Sequence, residues 1–147
     1  AASLLAGVAV LSHQKVLSAA DIQMLLNQVK SIMSDKCLCG LFGPDALAEV
    51  AISGKVGHLV VQGQVDRLVV RDTDVLLADF KTSTPPTDKM DMPVRYVRQM
   101  AIYKEILSQI YPAKKITCWM IWTQTAEVSI ISDTQIQEEL AGLIAHD

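Results

Sequence analysis

Residues 59–82 read LVVQGQVDRLVVRDTDVLLADFKT, and the way this stretch folds back on itself decides the architecture. Val60, Val61, Val65, Leu68, Val69 and Val70 make Leu59–Arg71 a long β-rich run. Arg71–Asp74 is a polar turn, and Val75–Thr82 is a further strand whose first half is continuously apolar. Upstream, Glu49–Lys55 alternates, with Val50 and Ile52 on one side and Glu49, Ala51 and Ser53 on the other. Three strands joined by short turns predict an antiparallel meander. Gly63, inside the second strand, marks a bulge or a close approach to the backbone.

Helical patterns flank the meander. Ile22, Leu25, Leu26, Val29, Ile32 and Met33 recur at helical spacing over Ser18–Ser34, and Ser18 with Asp21 has the spacing of a capping box. Cys37–Pro44 carries two glycines and a proline and reads as a loop. Downstream, Ser83–Pro93 is a polar, proline-rich loop, and Pro93 suits the first turn of a helix that ends before Pro112. Tyr96, Met100, Tyr103, Leu107 and Ile110 share one face of that helix. Ile116–Thr123 is apolar enough for a strand buried on both sides, and Glu127–Ser132 is a fifth strand. Asp133 or Thr134 caps a last helix with Ile136, Leu140, Leu143 and Ile144 inward. The expectation is one α/β domain with a mixed sheet over 1–147, its core roughly 18–132, with a helix appended at 133–145.

Composition narrows the classes. The chain has 147 residues, half of them apolar, with a formal net charge of −3. A disordered chain would be poorer in apolar residues, and a globally basic nucleic-acid binder would not be acidic. The longest apolar stretch, Leu4–Leu11, falls far short of the ~20 residues that cross a bilayer. No membrane partner is expected. Three cysteines, Cys37, Cys39 and Cys118, are too few for a disulfide framework and predict a reducing, cytoplasmic setting. Cys37 and Cys39 form a C-x-C pair that would need further ligands to hold a metal. Charge is uneven: from Lys81 to Lys115 there are seven basic and three acidic residues, and beyond Lys115 there are five acidic residues and no basic one. Arg95, Arg98 and Gln99 lie on the helix after the third strand, where phosphate contacts would be useful, although a solvated helix face gives the same pattern.

Chemistry concentrates at Asp66, Asp79 and Lys81. Residues two apart on a strand share a face, so Asp79 and Lys81 stand side by side, with Ala78 and Phe80 opposite. A hairpin closing between Asp72 and Thr73 sets Asp66 across from Asp79, because both lie equally far from that turn. Adjacent carboxylates repel, and burying them is costly unless a cation neutralises them. Mg²⁺ would do so through one or two carboxylates and several waters. It could then withdraw charge from a phosphodiester and lower the pKa of a bound water, with the lysine stabilising the developing anion. A bare D-x-K is equally a surface ion pair. The partner aspartate, the apolar strand before it and the helix after it favour the site.

The runs Gly63-Gln64-Val65-Asp66-Arg67, Asp79-Phe80-Lys81-Thr82 and Gln99-Met100-Ala101-Ile102-Tyr103 resemble the G-x-(I/V)-D-R, D-(Y/F)-K-T and Q-x-x-x-Y motifs of the RecB-like branch of the PD-(D/E)XK nuclease superfamily. Leu41-Phe42-Gly43-Pro44 with Glu49, the proline-rich loop, Tyr111-Pro112 and Trp122-Thr123 are similar to the C-terminal nuclease domain of AddA-type helicase–nucleases, in the alphaproteobacterial form. The resemblance covers roughly Leu41–Ile131. It implies a restriction-endonuclease-like α-β-β-β-α-β core whose mixed central sheet is flanked by helices. It implies Mg²⁺, for which Mn²⁺ can substitute, held by Asp66, Asp79 and the main-chain carbonyl of Phe80. Lys81 is then the catalytic lysine. Glu49 occupies an earlier acidic position that aids the metal or holds the first strand. Gln99 and Tyr103 lie beside the site and touch substrate or lysine, and Arg67, Thr82, Arg95 and Arg98 are candidates for DNA binding or support.

The implied activity is a DNA exonuclease in double-strand-break repair and recombination, coupled to an ATP-driven helicase. Its partners are DNA ends and single-stranded products, helicase domains of the same polypeptide and a second subunit of AddB type. No GxxxxGK[ST] phosphate loop occurs here, so ATP would serve only a motor outside this chain. The family's histidine ligand sits in a G-x-x-x-H segment before the first strand. His13 lacks that context, and the expectation is a fragment that begins after the true histidine. A non-catalytic docking or DNA-guiding module on the same fold is the alternative. Trp119 and Trp122 read as core. His58, after Gly57, reads as a turn residue.

Overall fold

The computed structural model describes residues 17–36, 38–88 and 91–145. Leu4–Leu11, His13, Cys37 and His146 lie outside the described residues. Helix α1 (Ala19–Ser34) and a short 3-10 turn (Cys39–Phe42) lead into strands β1 (Ala46–Val56), β2 (Leu59–Val70) and β3 (Asp74–Lys81). Helix α2 (Val94–Ile110), strands β4 (Lys115–Trp122) and β5 (Glu127–Ile131), and helix α3 (Asp133–Ile144) follow. The five strands form one sheet in sequence order. Every neighbouring pair is antiparallel except β3 and β4, which run parallel. A parallel pair needs a crossover, and α2 supplies it.

Alternation along β3 explains its unbroken apolar run. Val75 and Leu77 enter a core with Met100, Ile106 and Leu107 of α2, Trp122 of β4, and Ile136 and Leu140 of α3. Leu76 and Ala78 enter a second core on the other face, with Ile32 of α1, Leu38, Leu41, Val69 and Ile121. The sheet is therefore covered on both sides. None of the described helices is long and apolar enough to cross a membrane.

Several local expectations shift. Ser18 and Asp21 close the capping box on α1 as expected. The last helix, by contrast, is capped by Ser132, whose side chain accepts from the Gln135 N–H while Gln135 returns the bond, so neither Asp133 nor Thr134 is the cap. Pro93 stands just outside α2, as its N-cap. Strand β1 begins at Ala46, three residues before the alternating pattern starts. The apolar face of α1 is only partly used: Ile32 is buried, while Ile22 and Met24 are exposed. Ile110 and Ile144 are also exposed, contrary to the inward faces expected for them.

The pairing of β1 with β2 carries an irregularity that positions the site. Ile52 and Val56 of β1 and Val65 of β2 pack on the α2 side, but Ala46 and Val69, of the same respective parity, pack on the α1 side. The alternation reverses between them. Glu49 lies in that stretch with a left-handed backbone, φ 53°, a conformation costing about 1 kcal/mol for a residue with a Cβ. The flanking pairs Ala48↔Arg67 and Val50↔Val65 put Glu49 across from Asp66. Two residues before Val65, Gly63 lies under the Tyr103 ring: a Cβ there would stand 2.6 Å from both the ring edge and the hydroxyl oxygen. Gly63→Ala is accordingly expected to destabilise the fold by about 1–3 kcal/mol, the usual cost of overpacking. Urea unfolding of Gly63→Ala, Tyr103→Ala and the double variant checks it, because removing the ring should abolish most of the alanine's cost. Strict additivity would contradict the contact.

Candidate active site

The last β2–β3 main-chain pair is Arg67↔Ala78. One step further along the same register Asp66 meets Asp79, the juxtaposition expected from the turn. There the side chain takes over from the ladder: Asp66 Oδ2 accepts the Phe80 N–H at 2.9 Å. Asp79 is 5% exposed. Lys81 Nζ stands 2.6 Å from Asp79 Oδ2. This ion contact falls outside the angles of a directed hydrogen bond, so the buried oxygen has none. Burial pushes the Asp79 carboxyl above its ordinary range. Contact with the Lys81 ammonium pulls it down, and the neighbouring Asp66 pushes it up again.

Helix α2 holds the lysine from the other side. Gln99 Oε1 accepts from Lys81 Nζ at 3.1 Å, and the ammonium lies 4.4 Å from the centre of the Tyr96 ring. Arg95 sits against the same ring at 4.7 Å and donates to its hydroxyl at 3.1 Å. That bond, with help from Ser83, holds the Tyr96 hydroxyl below the usual tyrosine range. The strand end is pinned as well: the Lys81 carbonyl accepts the Thr123 N–H at 2.9 Å, and the Thr82 carbonyl accepts from Gln124 Nε2 at 2.6 Å. The sequence marks Tyr96 only as an apolar face residue. Its place three residues before Gln99 is the signal that could have found it.

Other sequence candidates fall elsewhere. Tyr103 lies over Gly63, and among the described residues the side chains on the lysine are those of Asp79, Gln99 and Tyr96. Arg67 is buried on the opposite face, its guanidinium 5.2 Å from the centre of the Phe42 ring, which in turn stacks on Phe80. It therefore braces the Asp79–Lys81 segment from behind. Arg98 is ion-paired with Glu139 of α3, and Lys104 with Asp133 at 2.6 Å. Arg98, one of the residues expected to face DNA, thus joins Lys104 in holding the acidic last helix. Arg95 and Thr82 remain exposed. Cys39 is exposed, whereas Cys118 is buried and its thiol is pushed up to about 12, so it behaves as core.

The donor set suits a hard divalent cation. Two carboxylates meet at a point where one buried oxygen lacks a hydrogen bond, and Mg²⁺ takes one or two carboxylates and keeps its waters. Among the described residues no group of three or more His, Cys, Asp or Glu side chains converges. Glu49 is exposed and is not brought into the group, because its left-handed backbone turns it out of the ladder.

Residues 17–144 match the family model of the PD-(D/E)XK nuclease superfamily, and the chain belongs to that superfamily. Its mixed sheet, flanked by helices, is the restriction-endonuclease-like core. A curated relative from Streptococcus suis (strain 98HAH33), one subunit of an ATP-dependent helicase/nuclease, is 28% identical over 78 residues, which are 50% of this chain and 6% of that protein. The chain thus matches a small part of that relative's length. A solved structure titled "Crystal structure of SSO0001" aligns at 19% identity with a TM-score of 0.42, covering 91% of this chain and 63% of that one.

The raised Asp79 carboxyl sets a pH dependence. A carboxyl raised in the folded state favours folding below its ordinary value of 3.8 and loses that contribution as pH climbs through the folded value. Metal-free protein should therefore be penalised at neutral pH. Asp79→Asn should melt higher than wild type at pH 7 in chelator, the gap closing at acid pH. Added Mg²⁺ should raise the melting temperature of wild type alone. Thermal denaturation across pH, with and without Mg²⁺, reads all three; an Asp79→Asn protein that melts lower in chelator would contradict the penalty.

Proposed function

We propose that this chain is the Mg²⁺-dependent DNA exonuclease part of an ATP-driven helicase–nuclease that works at double-strand breaks in repair and recombination. The observation that carries the reading is the convergence of Asp66, Asp79 and Lys81 at a buried carboxylate oxygen without a hydrogen bond. Membership of a nuclease superfamily and the partial likeness to a helicase/nuclease protein support it. In this reading Asp66 and Asp79, with the Phe80 carbonyl, hold the cation. When bound, the metal supplies charge neutralisation at the phosphate and a water acidified for attack. The side chains do the rest. Asp66, tied to the Phe80 N–H, fixes the strand end. Lys81 presents an ammonium to the scissile phosphate, where developing negative charge needs a preorganised donor. Gln99 keeps that ammonium in place, and exposed Arg95 meets a neighbouring phosphate.

The partners follow from the same reading: DNA ends and their single-stranded products, helicase domains of the same polypeptide, and a second subunit of AddB type, in the cytoplasm. ATP belongs to the motor. A non-catalytic docking or DNA-guiding module is the rival, favoured by the lack of a third converging ligand among the described residues. In the full-length protein, Asp79→Ala or Lys81→Ala should lower Mg²⁺-dependent cleavage of linear DNA by at least about 10²-fold, the scale for losing a transition-state charge contact, while ATP hydrolysis persists. Cleavage undiminished in either variant, or absent from wild type, would remove the catalytic reading.

A further inference from the structure

We infer that Tyr96 is a positioning residue that couples the lysine of the site to its phosphate-facing arginine. This rests on the nuclease reading above and deepens it by adding a residue that neither the motifs nor the comparisons single out. The observation is that one ring serves two cations. Lys81 Nζ lies 4.4 Å from its centre and the Arg95 guanidinium 4.7 Å, and each distance suits attraction to the quadrupole of the ring. The electron-rich ring attracts both.

The ring is itself held. Trp122 pairs with Lys81 in the β3–β4 register and is fully buried, and its indole N–H donates to Ser129 at 2.9 Å. The Tyr96 ring leans on that indole, with centroids 6.1 Å apart and planes at 59°. The hydroxyl meanwhile accepts from Arg95 Nη2 at 3.1 Å and lies 3.5 Å from Ser83 Oγ. The ring thus meets the lysine, the arginine and the core, and its polar tip holds the arginine by a further hydrogen bond.

A second restraint on the lysine matters because Asp79 is shared. The carboxylate that contacts the ammonium is also the donor proposed for the cation, so it cannot serve the lysine alone. Gln99 and Tyr96, both from α2, hold the ammonium independently of Asp79. The two ends of Tyr96 have separable jobs, and substitutions can divide them. Phenylalanine keeps the ring and loses the hydroxyl. Leucine loses both.

In the full-length protein, Tyr96→Phe should keep kcat for DNA cleavage within about threefold and raise KM, because only the hydroxyl's hydrogen bond with Arg95 is lost while the ring still faces both cations. Tyr96→Leu should lower kcat by about 10²-fold, the scale of a misplaced reacting group. NMR of this 147-residue chain without metal gives a readout free of activity. The Lys81 ε-methylene protons should be shifted upfield by the ring current in wild type and Tyr96→Phe, and return to ordinary lysine positions in Tyr96→Leu, with backbone amide shifts confirming that each variant is folded. Equal losses of kcat in the two variants, or Lys81 resonances indifferent to leucine, would overturn the inference. If wild type fails to cleave, the nuclease reading falls, and the Lys81 resonances still decide whether Tyr96 positions the lysine.

Discussion

A carboxylate that is buried but incompletely satisfied governs this molecule. Asp79 lies within the sheet because β3 is covered on both faces, and Lys81 is its neighbour two residues on, on the same face. Burial favours the neutral acid, the ammonium favours the anion, and Asp66 opposes it again. Left alone, such a balance costs stability, since an incompletely paired buried charge is penalised. The surrounding structure gives the buried Asp79 oxygen an ion contact with Lys81 and no directed hydrogen bond. It holds the oxygen in place. The 3-10 turn brings Phe42 onto Phe80 and Arg67, α2 brings Gln99 and Tyr96 onto Lys81, and Thr123 pins the Lys81 carbonyl. A shell that fixes a carboxylate oxygen lacking a directed hydrogen bond is what a metal site would need.

The irregularity in β1 and β2 belongs to the same design. A regular antiparallel ladder would have run on through Asp66 and spent the Phe80 N–H on a main-chain carbonyl. The pairing instead ends at Arg67↔Ala78, and the Asp66 side chain accepts that N–H. The reversal of alternation near Glu49 and Asp66 lets Val65 stay in the α2 core while Arg67 and Val69 turn to the other face. The strain at Glu49 is modest, and strained backbone of this kind tends to cluster at functional sites.

Much of this was legible in the sequence, for reasons that can be named. The β-rich runs, the polar turn and the crossover helix follow from periodicity and proline placement. The facing of Asp66 and Asp79 follows from counting outward from the turn. Gly63 reads as a bulge or a close approach, with no sign that the Tyr103 ring is what approaches it. Features that depend on partners distant in sequence were not readable. Arg98 reads as part of a phosphate-facing helix surface, and only the fold brings Glu139 of α3 against it. Ser132, Asp133 and Thr134 are all good caps, and only the reciprocal bond with Gln135 selects the serine. Glu49 fitted an alternating strand, because composition carries no trace of a single left-handed residue. Tyr96 was hidden by its apolar periodicity, which is real and says nothing of the cations on its ring.

The central claim is that Asp66 and Asp79 together form a divalent-cation site. Anomalous diffraction from crystals of the chain soaked in Mn²⁺ tests it most directly. One strong peak is predicted within coordination distance of carboxylate oxygens from both aspartates, absent in Asp79→Ala crystals treated alike. No peak there at saturating Mn²⁺, with wild type folded as described, would contradict the claim.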